Sequence, residues 1–305
     1  MKILLFGSSG QVGWQLRRSL AVLGEVVALD RRSPGGDLGQ PAQAAATVAE
    51  VRPDIVVNAA AYTAVDRAED EPGIASAING QACGALAEAT RAIGGWLVHY
   101  SSDYVYPGTG ERPWREDDTP QPLSAYGRSK LAGDLAIAAA NPRHLILRTS
   151  WVFDTWGQNF AKSILRAAAT RDELTVVADQ WGAPTRAALI ADVTAHTLRA
   201  IRGAAQPESL AGVYHLAASG FTTWHAYATL LVQEATAQGL ALRATPDRVR
   251  AIATSDYPAK APRPANSRLD TTRLRTTFGL HLPPWQDGVR AVVAELAHHK
   301  ATAPL

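Results

Sequence analysis

The sequence predicts an α/β protein: a doubly wound parallel sheet with a smaller, mainly C-terminal lobe. Three observations predict it. Through the first half, short apolar runs alternate with stretches of helical periodicity, the pattern of βαβ units around a parallel sheet. The first apolar run leads straight into a glycine-rich turn, Gly7-Ser8-Ser9-Gly10-Gln11-Val12-Gly13, which opens the first helical stretch. Beyond residue 150 the alternation loosens, and prolines at 258–264 and 283–284 interrupt it.

The elements follow in order. Runs 3–6, 26–29, 55–57, 97–100 and 145–147 are short, apolar and bounded by Gly, Asp, Asn or Ser, so they read as strands buried on both faces. Stretches 11–23, 42–51, 74–93 and 124–139 between them read as helices. Right-handed crossovers then give a doubly wound sheet. In the second half 160–170, 188–201, 224–238 and 288–298 look helical, and 213–216 looks like a late strand. Residues 1–150 are expected to form the sheet domain, with the segment near 188–218 returning to it. Residues 151–305 are expected to form an interleaved second lobe. There is no internal repeat, and alanine-rich 42–49 reads as helix rather than low complexity.

Composition excludes several classes. Hydrophobic residues are 47% and charged residues 19% of 305, which supports a sizeable core and argues against disorder. Lys plus Arg is 30 against 28 for Asp plus Glu, and the basic residues are scattered, so no nucleic-acid partner is expected. A single cysteine, Cys83, excludes an internal disulfide framework and a cysteine-rich metal site. It reads as a small packing residue in a helix. The eight histidines show no zinc spacing, and His298-His299 read as solvated. No apolar run reaches the ~18 residues of a membrane span, and the first is too short for a signal peptide. A cytoplasmic chain with no membrane partner is the expectation.

The glycine turn points to a dinucleotide. Gly7, Gly10 and Gly13 permit a tight turn, close approach of backbone to a pyrophosphate, and close helix–strand packing. The helix start then offers free N–H groups to phosphate. Residues 1–150 therefore read as a Rossmann-type NAD(P)-binding domain. Asp30 ends the second strand, about 20 residues after the turn, where an acidic residue binds ribose hydroxyls. Arg31 and Arg32 follow, and a guanidinium there suits a 2′-phosphate. The choice between NADH and NADPH stays open. Asp37 and Leu38 are placed to approach the adenine, and Ala59, Ala60 and Ala61 are small enough for the cofactor to lie against their backbone.

Tyr126 and Lys130, at i and i+4, share one helix face. A nearby ammonium favours a phenolate, so Lys130 is expected to lower the Tyr126 pKa. Tyr126 can then act as general acid toward a carbonyl oxygen. Ser102 ends the fourth strand, at the sheet edge where α/β proteins bind ligands, and its hydroxyl can polarise the same carbonyl.

With these residues the chain resembles the extended short-chain dehydrogenase/reductase family, and within it the dTDP-4-dehydrorhamnose reductases. The stretches LLFGSSGQVGWQL, PDIVVNAAAYTAVDRAE, HYSSDYVYPGTG, YGRSKLAGD, LRTSWVF, DQWGAPT, YHLAASGFTTWHAYA and RPANSRLDT carry the resemblance across nearly the whole chain. It implies reduction of the C4 ketone of a dTDP-sugar by NADPH or NADH. It makes Tyr126 the proton donor, Lys130 its partner and Ser102 the carbonyl-binding hydroxyl, where many relatives have Thr. Gly10, Gln11, Val12, Asp30, Asp37, Leu38, Ala61, Tyr62 and Thr63 match cofactor contacts. Asp103, Tyr104 and Trp151 match the sugar side; the alternative for Trp151 is a core aromatic. Arg263 and Ser267 are candidates for the diphosphate and sugar region, with a surface role open for Arg263.

Two departures matter. Related 4,6-dehydratases need an Asp-Glu pair after the fourth strand, and here the run is Ser102-Asp103-Tyr104. Some rhamnose reductases dimerise around Mg²⁺ held by three glutamates; the matching positions here are Gln15, Ala188 and Glu295. The expectation is no Mg²⁺, and a monomer or a metal-independent homodimer. Other readings are a related nucleotide-sugar reductase or epimerase, or a non-catalytic regulatory subunit of the kind that attaches to methionine adenosyltransferase.

Overall fold

Six apolar runs lie side by side in the computed structural model, which describes residues 1–302, with side chains through His298. They are β1 (Lys2–Phe6), β2 (Glu25–Leu29), β3 (Ile55–Asn58), β4 (Trp96–Ser102), β5 (His144–Thr149) and β6 (Gly212–His215), in the order β6-β5-β4-β3-β1-β2. Every pairing is parallel. The chain leaves β1 in one direction and resumes with β3 on its other side. The crevice at their carboxyl ends is therefore the topological switch point, where such sheets bind ligands.

Side chains alternate across each strand and bury two layers. Ile3, Leu5, Val57, Val98 and Leu147 face α1 (Gln11–Ala21) and a later helix, α6 (Ala187–Gly203), through Leu16, Leu20, Ile190 and Leu198. Leu4, Phe6, Val56, Leu97 and Ile146 face α2 (Pro41–Val51), α3 (Ala82–Ala92) and α4 (Ala125–Ala140) through Val48, Leu86 and Ile137. Cys83 packs in this second layer. The two edge strands are less covered: β2 has no fully buried residue, and the first two residues of β6 are half-buried.

Stretches between 153 and 296 build separate apolar clusters, while Leu274 and Leu282 return to the sheet core. Three helices, α5 (Phe160–Thr170), α7 (Trp224–Ala237) and α8 (Trp285–Thr302), enclose Phe153, Leu165, Tyr227, Leu231, Trp285 and Val292. The parallel pair Leu174–Val177 and Val249–Ile252 closes over Val232. These strands and the two-residue pairs near 152, 181, 185 and 222 are too short to show a period in sequence.

One expected helix differs. Residues 74–93 are not a single α-helix: Pro72–Ser76 and α3 flank a π-helical turn at Ala77–Gln81. The wider turn carries Asn79, which accepts from Tyr62 N at 2.9 Å and donates to Tyr62 O at 3.0 Å. No apolar period betrays that polar function. Among the described residues no helix is long and apolar enough to cross a membrane. His298 is exposed, and the side chain of His299 lies outside the described ones.

Candidate active site

The glycines of the first turn have distinct steric reasons. Gly7 has φ +77°, and a Cβ there would sit 2.5 Å from Ala60 N, so β1 and the β3 loop touch backbone to backbone. A Cβ on Gly13 would lie 2.0 Å from Gly7 O, so only glycine lets α1 settle on the turn. No side chain caps α1 at Gly10. Its first N–H groups therefore remain for an anion.

A cavity of about 500 Å³ opens at this point. Gly7, Gly10, Gln11 and Val12 line it, as do Arg31, Asp37 and Leu38 and the run Ala59, Ala60, Ala61, Tyr62 and Thr63. Tyr126 and Lys130 line it too. An uncapped helix start beside Cβ-free backbone fits a dinucleotide diphosphate. Two expected contacts do not reach the cavity. Gly13 is buried beneath the turn. Asp30 instead caps its own loop, accepting from Arg32 N at 2.8 Å and Ser33 N at 3.1 Å. The Arg32 backbone N–H leads in holding its carboxyl below the usual range.

The catalytic end is set by a close approach. Ser124 caps α4 by accepting from Gly127 N at 3.1 Å. A Cβ on Gly127 would sit 2.2 Å from Tyr104 O, so α4 begins hard against the turn that follows β4. Tyr126 thereby meets Tyr104 edge-on, ring centres 5.5 Å apart. Burial pushes the Tyr126 phenol above its ordinary value, and a hydrogen bond with Ser102 opposes this. Lys130 does not lower it as the sequence suggested. Its Nζ donates to Tyr100 O at 2.6 Å and lies 3.1 Å from His99 Nε2, so its amine is held by β4.

Ser102 donates to Asp103 Oδ1 at 2.9 Å. Burial pushes Asp103 up to about 6, with hydrogen bonds from Ser267 and Ser102 pulling the other way. Ser102, Asp103, Tyr104, Tyr126 and Ser267 thus form one cluster beside the dinucleotide cavity. Arg263 is mostly covered and paired with Asp66 at 2.7 Å. Trp151 has φ +48° and stacks on Trp224 with centres 3.6 Å apart. Gly182 makes room for it: a Cβ there would lie 2.5 Å from the indole.

Sequence reasoning missed several lining residues, including Thr149, Val152, Gly157 and Gln158. Their loop straps the glycine turn: Trp156 Nε1 donates to Ser9 O at 2.9 Å and Asn159 Nδ2 to Gln11 Oε1 at 2.8 Å. The available signal was Gly157, whose φ of +76° requires glycine. At the positions compared with metal-binding glutamates, Gln15 donates to Asp154 at 3.2 Å and Glu295 is paired with Arg186 at 2.6 Å. Ala188 offers only its backbone N–H, to Asp154 at 3.0 Å. Among the described residues no three His, Cys, Asp or Glu side chains are grouped to hold a metal.

Sheet order, glycine turn and the Ser102–Tyr126–Lys130 group together define a dinucleotide-dependent oxidoreductase of the extended short-chain dehydrogenase/reductase type. Residues 1–298 match the family model described as RmlD substrate binding domain. The chain belongs to this family, that of the dTDP-4-dehydrorhamnose reductases. The dTDP-4-dehydrorhamnose reductase of Salmonella typhimurium is 51% identical over 298 residues, covering 97% of this chain and 98% of that one. The reductase structure from Clostridium acetobutylicum superposes with a TM-score of 0.86 at 32% identity, over 97% of this chain and 99% of that one. A Bacillus anthracis reductase in complex with NADP gives 0.86 at 31%, over 96% and 99%.

Proposed function

We propose that the chain reduces the C4 ketone of dTDP-4-dehydro-6-deoxy-L-mannose to dTDP-β-L-rhamnose, with NADPH or NADH, supplying rhamnose for cell-surface polysaccharide. The observation that carries this is that Tyr126 lines the dinucleotide cavity together with Lys130, with Ser102 as its neighbour. The α1 start, Gly10, Gln11 and Val12 hold the diphosphate, and Arg31 offers a guanidinium at the adenosine end. The bound dinucleotide supplies the hydride.

The chain's own residues supply orientation and a proton. Burial keeps Tyr126 protonated, the state a donor needs. Turning its hydroxyl away from Asp103, Ser102 donates to the ketone oxygen and holds it within reach of the Tyr126 hydroxyl. As negative charge grows on that oxygen, the proton on Tyr126 Oη moves to it. Lys130, one turn on, is the nearest amine to that hydroxyl along α4. The Trp151–Trp224 stack offers an apolar face to the deoxysugar. Asp103, Tyr104, Arg263 and Ser267 bound the substrate side. With Arg186 beside Glu295, the chain acts as a monomer or as a dimer that needs no bridging metal.

The test is consumption of reduced nicotinamide with the keto-sugar made in situ. Wild type is expected to turn over, and Tyr126→Phe to lose roughly 10²–10⁴-fold in kcat/KM while still binding NADPH. Full activity in Tyr126→Phe would remove it as proton donor.

A further inference from the structure

The start of α5 fixes which way a side chain in the cofactor cavity is turned. Asn159 caps α5, its Oδ1 accepting from Lys162 N at 3.0 Å. A backbone N–H only donates, so the branch of the carboxamide that meets it is the oxygen. The other branch, Nδ2, has two protons, and both are spent. One goes to Asp154 O at 2.7 Å and one to Gln11 Oε1 at 2.8 Å. Turning Asn159 over would set donor against Lys162 N and acceptor against Asp154 O, so both ends enforce one orientation. An amide nitrogen only donates, so the branch of Gln11 that meets Asn159 is its oxygen. The Gln11 amide is thereby turned away from the strap. Its side chain makes no other hydrogen bond among the described residues. Gln11 is half-buried and lines the cavity at the uncapped start of α1.

We propose that Asn159 is a positioning residue for the dinucleotide: by holding the oxygen of Gln11 it presents the Gln11 amide N–H groups to a phosphate oxygen of the cofactor. This rests on the dinucleotide reading of the cavity and not on the identity of the sugar. A phosphate oxygen only accepts, so a Gln11 turned the other way would set its own oxygen against it. Asn, Asp and Ser cap a helix about equally well, but only Asn adds an N–H pair to its acceptor. The rest of the strap keeps the two carboxamides in register. Trp156 stacks on Trp14 with ring centres 4.1 Å apart and planes 8° from parallel. A Cβ on Gly157 would lie 2.9 Å from Gln11 Cγ, so glycine leaves Gln11 its place.

Calorimetric titration of NADPH into the full chain, with no sugar present, tests this through a double-mutant cycle. Asn159→Ser keeps a cap but frees Gln11, and is expected to raise Kd about 5-fold. Gln11→Met removes the amide and is expected to raise Kd about 10-fold. The double variant is expected to match Gln11→Met, because Asn159 then has no amide to orient. A merely structural role for Asn159 would weaken binding equally in both backgrounds. Losses that multiply to about 50-fold, or an Asn159→Ser that binds like wild type, overturn the proposal. A wild type that takes up no NADPH overturns the cofactor reading itself. If Asn159→Ser does not fold, Gln11→Glu decides. Asn159 can hold one of its carboxylate oxygens and leave the other facing the phosphate. It is expected to bind NADPH about 10-fold more weakly than Gln11→Met, and equal binding overturns the proposal.

Discussion

Arg31 and Asp30 are neighbours with opposite fates. Asp30 spends its carboxylate on two backbone N–H groups of its own loop, while Arg31 lines the cavity. A guanidinium matches a 2′-phosphate, so Arg31→Ala is expected to raise KM for NADPH about 10-fold and leave KM for NADH within about 2-fold. Steady-state kinetics with both cofactors measures this. Asp103 gives a pH signature. Its folded pKa, about 6, stands above the model-peptide value of 3.8 because burial disfavours the charge. The stability of its protonated form is fully present below 3.8 and is lost progressively as pH rises toward 6. Between about pH 5 and pH 7, wild type is expected to lose about 1.4 kcal/mol relative to Asp103→Asn in denaturant titrations. Tyr126, Lys130 and Ser102 were legible as residues because their spacing is a pattern. The partners of Lys130 were not, since His99 and Tyr100 reach it through the fold and not through sequence.

At the scale of elements, glycine carries the closest contacts. Gly13→Ala would place a methyl 2.0 Å from Gly7 O and push α1 off the turn. The expected cost is about 2 kcal/mol of stability and an affinity loss for NADPH of about 10-fold or more, read by calorimetry and denaturant unfolding. Helix α4 is tied to β5 by the Asp134–Arg148 pair, whose side chains are 3% and 5% exposed. Breaking it with Asp134→Ala leaves an unpaired buried guanidinium, at an expected cost of about 3–5 kcal/mol. Alternating strands and helices were legible here, because a doubly buried parallel strand is a plain apolar run. The π-helical turn at Ala77–Gln81 was not. It carries Asn79, which accepts one hydrogen bond from and donates another to Tyr62, 17 residues away in sequence.

For the whole molecule, the chain crosses between two sets of apolar clusters. After α5 it returns through α6 to cover α1, adds β6 to the sheet edge, then goes back to build α7 and α8. The sugar-side residues follow that path: Trp181 N bonds Ala265 O at 2.8 Å, and Ser267 N bonds Trp181 O at 2.7 Å. This brings the proline-rich loop alongside the end of β4, where Ser267 faces Asp103. Such a convergence has no local sequence signal, because it depends on two-residue strands and loop contacts.

At this convergence a hydride passes to one carbon of the sugar and a proton to its oxygen. NMR of the product made with NADPH deuterated at the transferring C4 position tests it most directly. Deuterium is expected at C4 of the sugar, with one nicotinamide oxidised per sugar reduced. Deuterium elsewhere, or a changed sugar with no net oxidation of the nicotinamide, would contradict it.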